Sequence, residues 1–192
     1  LGMESDFVLP ILTEVRKGIE AGAGDHWAAS RGEHLAARLV AQYFGWEFLE
    51  TEGRIIIADD GGVDETTYAH LREALDPEKR YVVPGFYGSN SHAAVQTFSR
   101  GGSDITGAII SRAIGAQVYE NWTDVSGVYR IAPRLVEGAT VVDRMTYREV
   151  RELAAVGASV FHEEAIAPVI TASIPINVKN TNAPSDEGTW IV

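Results

Sequence analysis

The glycine pair Gly101-Gly102 places the strongest constraint on how this chain can fold. It lies between Arg100 and Ser103-Asp104, and a helix-like apolar run from Ile105 to Ile114 follows it. Glycines allow positive φ angles and a close approach of the backbone to a ligand. Ser103 or Asp104 would cap the helix, whose free N–H groups favour an anion, and Arg100 adds a forked cation. The segment is therefore either an anion-binding turn or a tight loop with an N-cap and a surface arginine.

The composition excludes several classes of protein. The 192 residues include no cysteine, which excludes disulfides and thiolate chemistry. A formal net charge of −11 argues against nucleic acid as a partner, so an anionic substrate would need local arginines, a metal ion or both. The sequence has no apolar run long enough to cross a bilayer and no signal peptide. We therefore expect a cytoplasmic protein that does not bind membranes, with one domain over residues 1–192.

Hydrophobic periodicity predicts alternating helices and strands. The predicted helices are Val8–Glu20, His34–Phe44, Asp64–Leu75, Ile105–Ile114, Thr146–Gly157 and Glu163–Ala172, and the predicted strands are Ile55–Ala58, Tyr81–Val83, Gln117–Trp122 and Ile176–Val178. This order is typical of a layered α/β domain with a largely parallel sheet. Ser30 with Glu33 and Thr146 with Glu149 have the spacing of capping boxes, although Glu33 could instead face a ligand.

Several common catalytic motifs are missing from the sequence. It contains no P-loop, no dinucleotide fingerprint, no Gly-x-Ser-x-Gly elbow and no zinc-like histidine spacing. Adjacent Asp59 and Asp60 are better explained by a solvated turn than by a metal site. The remaining candidates are polar turns at strand ends, above all Pro84–Gly88 and the segment that begins at Thr123-Asp124. Such turns suit the positioning of polyanions, with catalysis by charge stabilisation.

A series of segments then agrees, in order, with the signatures of one family. The segments are Ser30–Glu33, Pro84–Gly88, Phe98–Asp104, Asn121–Tyr129, Pro133-Arg134, Met145–Glu149, Ile174–Thr181 and Gly188-Thr189. Together they resemble the aspartokinases of the amino-acid kinase superfamily. The resemblance implies a three-layer α/β/α sandwich with a mainly parallel sheet. It also implies transfer of the γ-phosphoryl group of ATP, with Mg²⁺, to the side-chain carboxylate of L-aspartate.

The resemblance also assigns roles to individual residues. Glu33 would contact the amino group of aspartate, Arg100 would hold its α-carboxylate with Ser103 close by, and Asp104 would organise the active site. The implied ATP site consists of Thr123, Asp124, Tyr129, Arg134, Ser159 and Val160. No residue is assigned as a metal ligand.

Three features depart from the family pattern. Nothing in the sequence matches the family's first strand, which ends in Lys-x-Gly-Gly and handles the phosphates. Ser159 stands where members commonly have lysine, although a subgroup of the family has serine there. The chain also stops where C-terminal ACT domains would start. We therefore expect a partial catalytic domain, incomplete at its N-terminus, that forms a homodimer or higher homo-oligomer. The alternatives are a kinase for another acidic amino acid, such as glutamate, and a catalytically silent nucleotide-binding fragment.

Overall fold

The structure, a computed structural model, describes residues 5–131, 136, 138–155 and 163–192. The chain consists of two compact units, Leu1–Thr106 and Gly107–Val192. Within the described residues these units contain six helices and eight strands.

The first unit is built around two long helices. Helix α1 (Ser5–Glu20) and helix α2 (Asp25–Phe44) are joined by a short turn, and a shorter helix, α3 (Thr66–Ala74), follows later. All three were predicted, but α2 begins at Asp25, nine residues before its predicted start at His34. The apolar periodicity of α2 marks only its second half.

The predicted capping box at Ser30 and Glu33 is wrong, because both residues lie inside α2. Ser30 is fully buried, and its hydroxyl donates a hydrogen bond to the carbonyl oxygen of Trp27 at 2.7 Å. The same hydroxyl oxygen accepts a bond from the guanidinium of Arg31 at 2.8 Å. The side chain of Glu33 is therefore not used as a cap.

The strands of the first unit are short. Strand β1 (Glu47–Phe48) pairs in parallel with β2 (Tyr81–Val82), and β3 (Tyr87–Ser89) pairs antiparallel with β4 (Val95–Thr97). The sequence predicted only β2 among these four. The predicted strand Ile55–Ala58 is not a continuous strand in the structure. This segment instead forms isolated β-bridges, which join Ile56 to Ser89 and Ile57 to Val63.

The second unit contains a four-stranded sheet in the order β5-β7-β8-β6. Its strands are β5 (Tyr119–Thr123), β6 (Arg144–Met145), β7 (Ile176–Asn180) and β8 (Thr189–Ile191). The β5–β7 and β6–β8 pairs are parallel, and the β7–β8 pair is antiparallel. Counting β1–β2, three of the five strand pairs are parallel, which confirms the predicted α/β class with mostly parallel pairing.

Three helices belong to this part of the chain. Helix α4 (Gly102–Ile114) starts in the first unit and continues into the second, where α5 (Tyr147–Ala155) and α6 (Glu163–Thr171) follow. The predicted end of α5 at Gly157 lies outside the described residues. One core joins the sheet to the helices and includes the buried side chains Ala108, Val150, Ile166, Val169, Ile176, Val178 and Ile191.

The predicted capping box at Thr146 and Glu149 is confirmed. The Glu149 carboxylate accepts bonds from the backbone N–H and the hydroxyl of Thr146 at 2.7 and 2.8 Å, and the Thr146 hydroxyl accepts one from the Glu149 N–H at 3.2 Å. Hydrogen bonds from the Thr146 backbone and side chain lower the pKa of Glu149 below its usual value. The box fixes the start of α5 next to β6.

The capping box gives a first prediction. Thr146→Ala should lower the free energy of unfolding by about 1 kcal/mol, the usual cost of losing an N-cap side chain, and Thr146→Ser should restore it. Thr13→Ala is the matched control, because the Thr13 hydroxyl bonds only to the Leu9 carbonyl inside α1. Denaturant unfolding measures all three variants. Equal effects of Thr146→Ala and Thr13→Ala would contradict the capping role.

Candidate active site

Gly102 is the point of closest approach between helix α4 and the turn Pro84–Gly88. A β-carbon at Gly102 would lie 2.5 Å from the β-carbon and 2.7 Å from the α-carbon of Phe86. These distances are far shorter than van der Waals contact, so this position requires glycine. The preceding Gly101 has φ +57°, a left-handed conformation that also favours glycine. The glycine at position 102 therefore permits a close approach of α4 to Phe86, and the predicted approach to a ligand stays a prediction.

The predicted cap at Ser103 or Asp104 is wrong, because α4 already begins at Gly102. The N–H of Ile105 bonds to the carbonyl oxygen of Gly101 at 2.9 Å, which places Ser103 and Asp104 in the first helical turn. Ser103 is exposed and Asp104 is half-buried. Both side chains therefore lie at the N-terminal end of α4, where the helix dipole favours negative charge.

The turn Pro84–Gly88 is held in an unusual backbone conformation. Phe86 has φ +62°, which is rare for a residue other than glycine and costs conformational energy. Its N–H donates to the Thr106 hydroxyl at 3.1 Å, and its carbonyl oxygen accepts from the N–H of Phe98 at 2.9 Å. Strained residues of this kind cluster at ligand sites.

Glu33 and Ser103 lie on two sides of this turn. The N–H of Gly85 is 3.5 Å from a carboxylate oxygen of Glu33, a long hydrogen bond. A β-carbon at Gly85 would lie 2.8 Å from the Ser103 hydroxyl oxygen, so the two residues are in direct contact. The structure therefore places Glu33 and Ser103 each in contact with Gly85, and their role in one binding site stays a prediction.

Arg100 is exposed immediately before the glycine pair. Within the described part of the chain, its guanidinium makes no ion pair or hydrogen bond. The interpretation of Arg100 as half of a surface ion pair is therefore not supported. Among the described residues, the exposed guanidinium of Arg100 is therefore a cation without a protein partner, and it lies just before the start of α4 in the chain.

Beneath this cluster lies a buried polar network that the sequence analysis missed. The Glu50 carboxylate accepts hydrogen bonds from the Tyr87 hydroxyl at 2.7 Å and from the Thr51 and Glu52 N–H groups at 2.9 and 3.3 Å. Its second oxygen is 2.8 Å from Nδ1 of His34. These residues are far apart in the sequence and follow no motif spacing, so only the fold reveals the cluster.

The network shifts the pKa values of two of its members. Burial alone would raise the pKa of Glu50, but hydrogen bonds from His34, Tyr87 and the Glu52 backbone lower it from 4.5 to about 2. Burial, followed by the hydrogen bond to Glu50, raises the pKa of Tyr87 far above 10. Near neutral pH, Glu50 is therefore an ionised acceptor and Tyr87 a protonated donor.

The predicted nucleotide-site residues lie in the second unit. Thr123 ends β5, and its carbonyl oxygen accepts bonds from the N–H and hydroxyl of Thr181 at 2.8 and 3.0 Å. The exposed Asp124 follows, and its carboxylate is 3.3 Å from the Thr123 hydroxyl. Thr123 and Asp124 thus end one strand beside the end of β7.

Tyr129 belongs to a second short pairing in this unit. It forms an antiparallel bridge with Val141, next to Val128, whose N–H donates to the Thr189 hydroxyl at 2.8 Å. Of the other predicted nucleotide contacts, Arg134, Ser159 and Val160 lie outside the described residues. The described geometry therefore fixes the positions of Thr123, Asp124 and Tyr129 within the second unit.

No group of three or more histidine, aspartate or glutamate side chains among the described residues is arranged to hold a metal ion. Likewise, none of the described helices is long and apolar enough to cross a membrane.

Comparison with known proteins agrees with this geometry. The model of the amino acid kinase family matches residues 4–180. Aspartokinase 3 of Bacillus subtilis is 40% identical over 170 residues, which cover 84% of this chain and 37% of that protein. The crystal structure of Clostridium acetobutylicum aspartate kinase superposes with a TM-score of 0.93 at 46% identity, over 100% of this chain and 44% of the other.

A third relative was solved with ligands. Escherichia coli aspartokinase III, in complex with aspartate and ADP, superposes with a TM-score of 0.81 at 26% identity, over 96% of this chain and 45% of the other. The chain thus spans less than half the length of each of these three relatives.

The low pKa of Glu50 predicts how the stability of the fold depends on pH. A carboxylate whose pKa is lowered on folding stabilises the fold fully above its unfolded pKa of 4.5, and this contribution is lost as the pH falls through about 2. Because the side chain is one quarter exposed, we discount the full shift to about 2 kcal/mol. Glu50→Gln should therefore lower the free energy of unfolding near neutral pH, and the gap to wild type should narrow below pH 4.5.

Denaturant unfolding between pH 2 and pH 7 measures this difference. Glu47→Gln is the matched control, because the exposed Glu47 only pairs with Lys79 at 3.2 Å on the surface. A constant gap between Glu50→Gln and wild type at all pH values would show that the network does not hold Glu50 in its ionised form.

Proposed function

This chain belongs to the amino acid kinase family, and we propose that its activity is that of an aspartate kinase. The reaction is transfer of the γ-phosphoryl group of ATP to the side-chain carboxylate of L-aspartate. The observation that carries the proposal is the cluster of Glu33, the Gly85-Phe86 turn and Ser103, together with Arg100, which precedes α4 in the chain and has no partner among the described residues. Supporting it are the similarities to aspartokinases, one of which was solved with aspartate and ADP.

The charges of the cluster suit an amino acid. We assign the α-carboxylate of aspartate to the guanidinium of Arg100, which can bind it through two parallel hydrogen bonds. The α-ammonium group is assigned to Glu33, which has neither a capping role nor a short hydrogen bond within the described residues. Ser103 would contribute a hydroxyl close to the same ligand, at a position fixed by its contact with Gly85.

The start of α4 suits the group that is transferred. Helix α4 is 13 residues long, and the N–H groups of its first turn together with the helix dipole favour a phosphate. Asp104 lies in that same turn, and we propose that it organises the reacting groups. For the nucleotide we propose contacts with Thr123, Asp124, Tyr129, Arg134, Ser159 and Val160.

The described residues fit Mg²⁺ only if it binds together with the nucleotide. The described residues contain no cluster that would hold a metal without other ligands, and Mg²⁺ in kinases is typically bound by one or two carboxylates together with substrate phosphates. No residue is assigned as a ligand of Mg²⁺. When bound, Mg²⁺ neutralises part of the phosphate charge.

The chemistry demands little from the protein beyond positioning and charge stabilisation. An oxygen of the aspartate side chain attacks the γ-phosphorus, the bond from that phosphorus to the bridging oxygen breaks, and ADP leaves. The nucleophile is already ionised near neutral pH, so the step needs no general base. The protein groups that the proposed reaction needs are therefore a guanidinium for the α-carboxylate, a carboxylate for the ammonium group and a helix N-terminus for the phosphate.

Three further predictions follow from the same assignment. They are that residues 1–192 form part of one catalytic domain, that the protein is a homodimer or higher homo-oligomer, and that its location is cytoplasmic. The amino acid kinase match over residues 4–180 supports the first of these predictions.

The full-length protein tests the function directly. We expect ADP release from ATP·Mg²⁺ that depends on L-aspartate, with much weaker activity on L-glutamate. Arg100→Ala should lower kcat/KM for aspartate by a factor that corresponds to about 2–4 kcal/mol, the scale of removing one partner of a charge pair that the bound substrate buries, with ATP affinity nearly unchanged. Glu33→Gln should raise KM for aspartate, because its amide cannot pair with an ammonium group.

Arg16→Ala is the matched control, because Arg16 forms only an exposed ion pair with Glu20 at 3.8 Å. Its kinetics should equal those of wild type. Wild-type kinetics in both Arg100→Ala and Glu33→Gln would remove these residues from the site. An active enzyme that prefers another acidic amino acid would retain the family and overturn the substrate.

A further inference from the structure

The buried network around Glu50 joins three separate elements of the first unit. His34 lies on α2, Glu50 follows β1, and Tyr87 begins β3. The side chain of Tyr87 is completely buried, and His34 is 6% exposed. None of the three has a role in the proposed reaction. Burying a carboxylate is costly, and this one is compensated by hydrogen bonds from all three elements.

The ring of Tyr87 is also fixed from the side. The guanidinium of Arg31 lies 5.5 Å from the centre of this ring and 4.7 Å from the centre of the Trp27 ring. Arg31 is itself buried and is held by the Ser30 hydroxyl and, at 3.8 Å, by Glu52. The phenol of Tyr87 therefore has one defined position, with its hydroxyl on Glu50.

Two members of the network are direct neighbours, in the chain, of groups in the proposed aspartate site. His34 follows Glu33 on α2, and Tyr87 follows Phe86, whose positive φ shapes the turn. Through the Tyr87 hydroxyl at 2.7 Å and His34 Nδ1 at 2.8 Å, the same Glu50 carboxylate holds both neighbours. The neighbours that Glu50 holds are thus the chain neighbours of Glu33 and Phe86, and the hydrogen bond between Glu33 and the Gly85 N–H is long, at 3.5 Å.

We propose that His34, Glu50 and Tyr87 are positioning residues for the amino acid substrate. The network fixes the position of Glu33 relative to the Gly85-Phe86 turn. It therefore determines the affinity for the ammonium group of the substrate without contacting the substrate. This inference rests on the proposed function for the identity of the substrate. The mechanical part, that the network orders the turn, does not depend on which substrate is used.

A purely structural role predicts a different result. If the network only stabilised the first unit, its loss would lower the melting temperature and the amount of active enzyme, with the same KM for both substrates. A positioning role predicts that KM for aspartate rises while KM for ATP and kcat stay close to wild type. It also predicts faster hydrogen exchange of the Gly85 and Phe86 amides.

Tyr87→Phe in the full-length protein separates these cases, because it removes the hydroxyl and retains the ring beside Arg31. Hydrogen bonds to charged groups are strong enough that we expect KM for aspartate to rise about tenfold. Tyr81→Phe is the matched control, because the Tyr81 hydroxyl accepts a bond only from the exposed Asp76 N–H at 3.0 Å. That variant should retain both KM values and the exchange rates of the turn.

A second pair of variants covers the case in which Tyr87→Phe folds poorly. His34→Gln retains an N–H donor for Glu50 and should rescue most of the loss seen in His34→Ala, in KM for aspartate and in exchange at Gly85 and Phe86. Unchanged exchange in the turn, or equal changes in both KM values, would overturn the inference. If wild-type protein does not phosphorylate aspartate, the proposed function fails, and exchange in the turn alone decides whether the network positions it.

Discussion

The contact between Gly102 and Phe86 is the constraint on which the rest of the first unit depends. With a β-carbon at residue 102 only 2.5 Å from that of Phe86, helix α4 could not begin where it does. Gly85 allows the matching contact on the other side, against Ser103. The two contacts bring the N-terminus of α4 onto the turn Pro84–Gly88, in which Phe86 has a positive φ. The proposed substrate groups are gathered around these two glycines.

Two carboxylates on either side of this turn show how one unit separates structure from function. Glu50 accepts hydrogen bonds from the Tyr87 hydroxyl and two backbone N–H groups and lies 2.8 Å from His34 Nδ1, so its charge is fully used by the fold. Among the described residues, Glu33 accepts one hydrogen bond, from the Gly85 N–H at 3.5 Å. A carboxylate that already accepts several hydrogen bonds from the protein stabilises the fold. A half-buried carboxylate with few such bonds remains available for a cationic ligand.

Local chemistry was sufficient to predict some of these features from the sequence. Helix α4 and the capping box at Thr146 each depend on neighbouring residues, and the structure contains both. The Ser30 capping box failed because the same residue pattern also occurs inside a helix, where Ser30 bonds back to Trp27. Strands of two or three residues, such as β1 and β3, are too short to show a period. The Glu50 network could not be predicted from the sequence, because its residues are distant from one another along the chain.

The most direct test of the central claim is a crystal structure of the full-length protein with L-aspartate and ADP. The account predicts the α-carboxylate of aspartate on Arg100, its ammonium group on Glu33 and its side chain directed toward the first turn of α4, with ADP near Thr123 and Asp124. Aspartate bound away from Glu33 and Arg100, with the turn Pro84–Gly88 making no contact with it, would contradict the account.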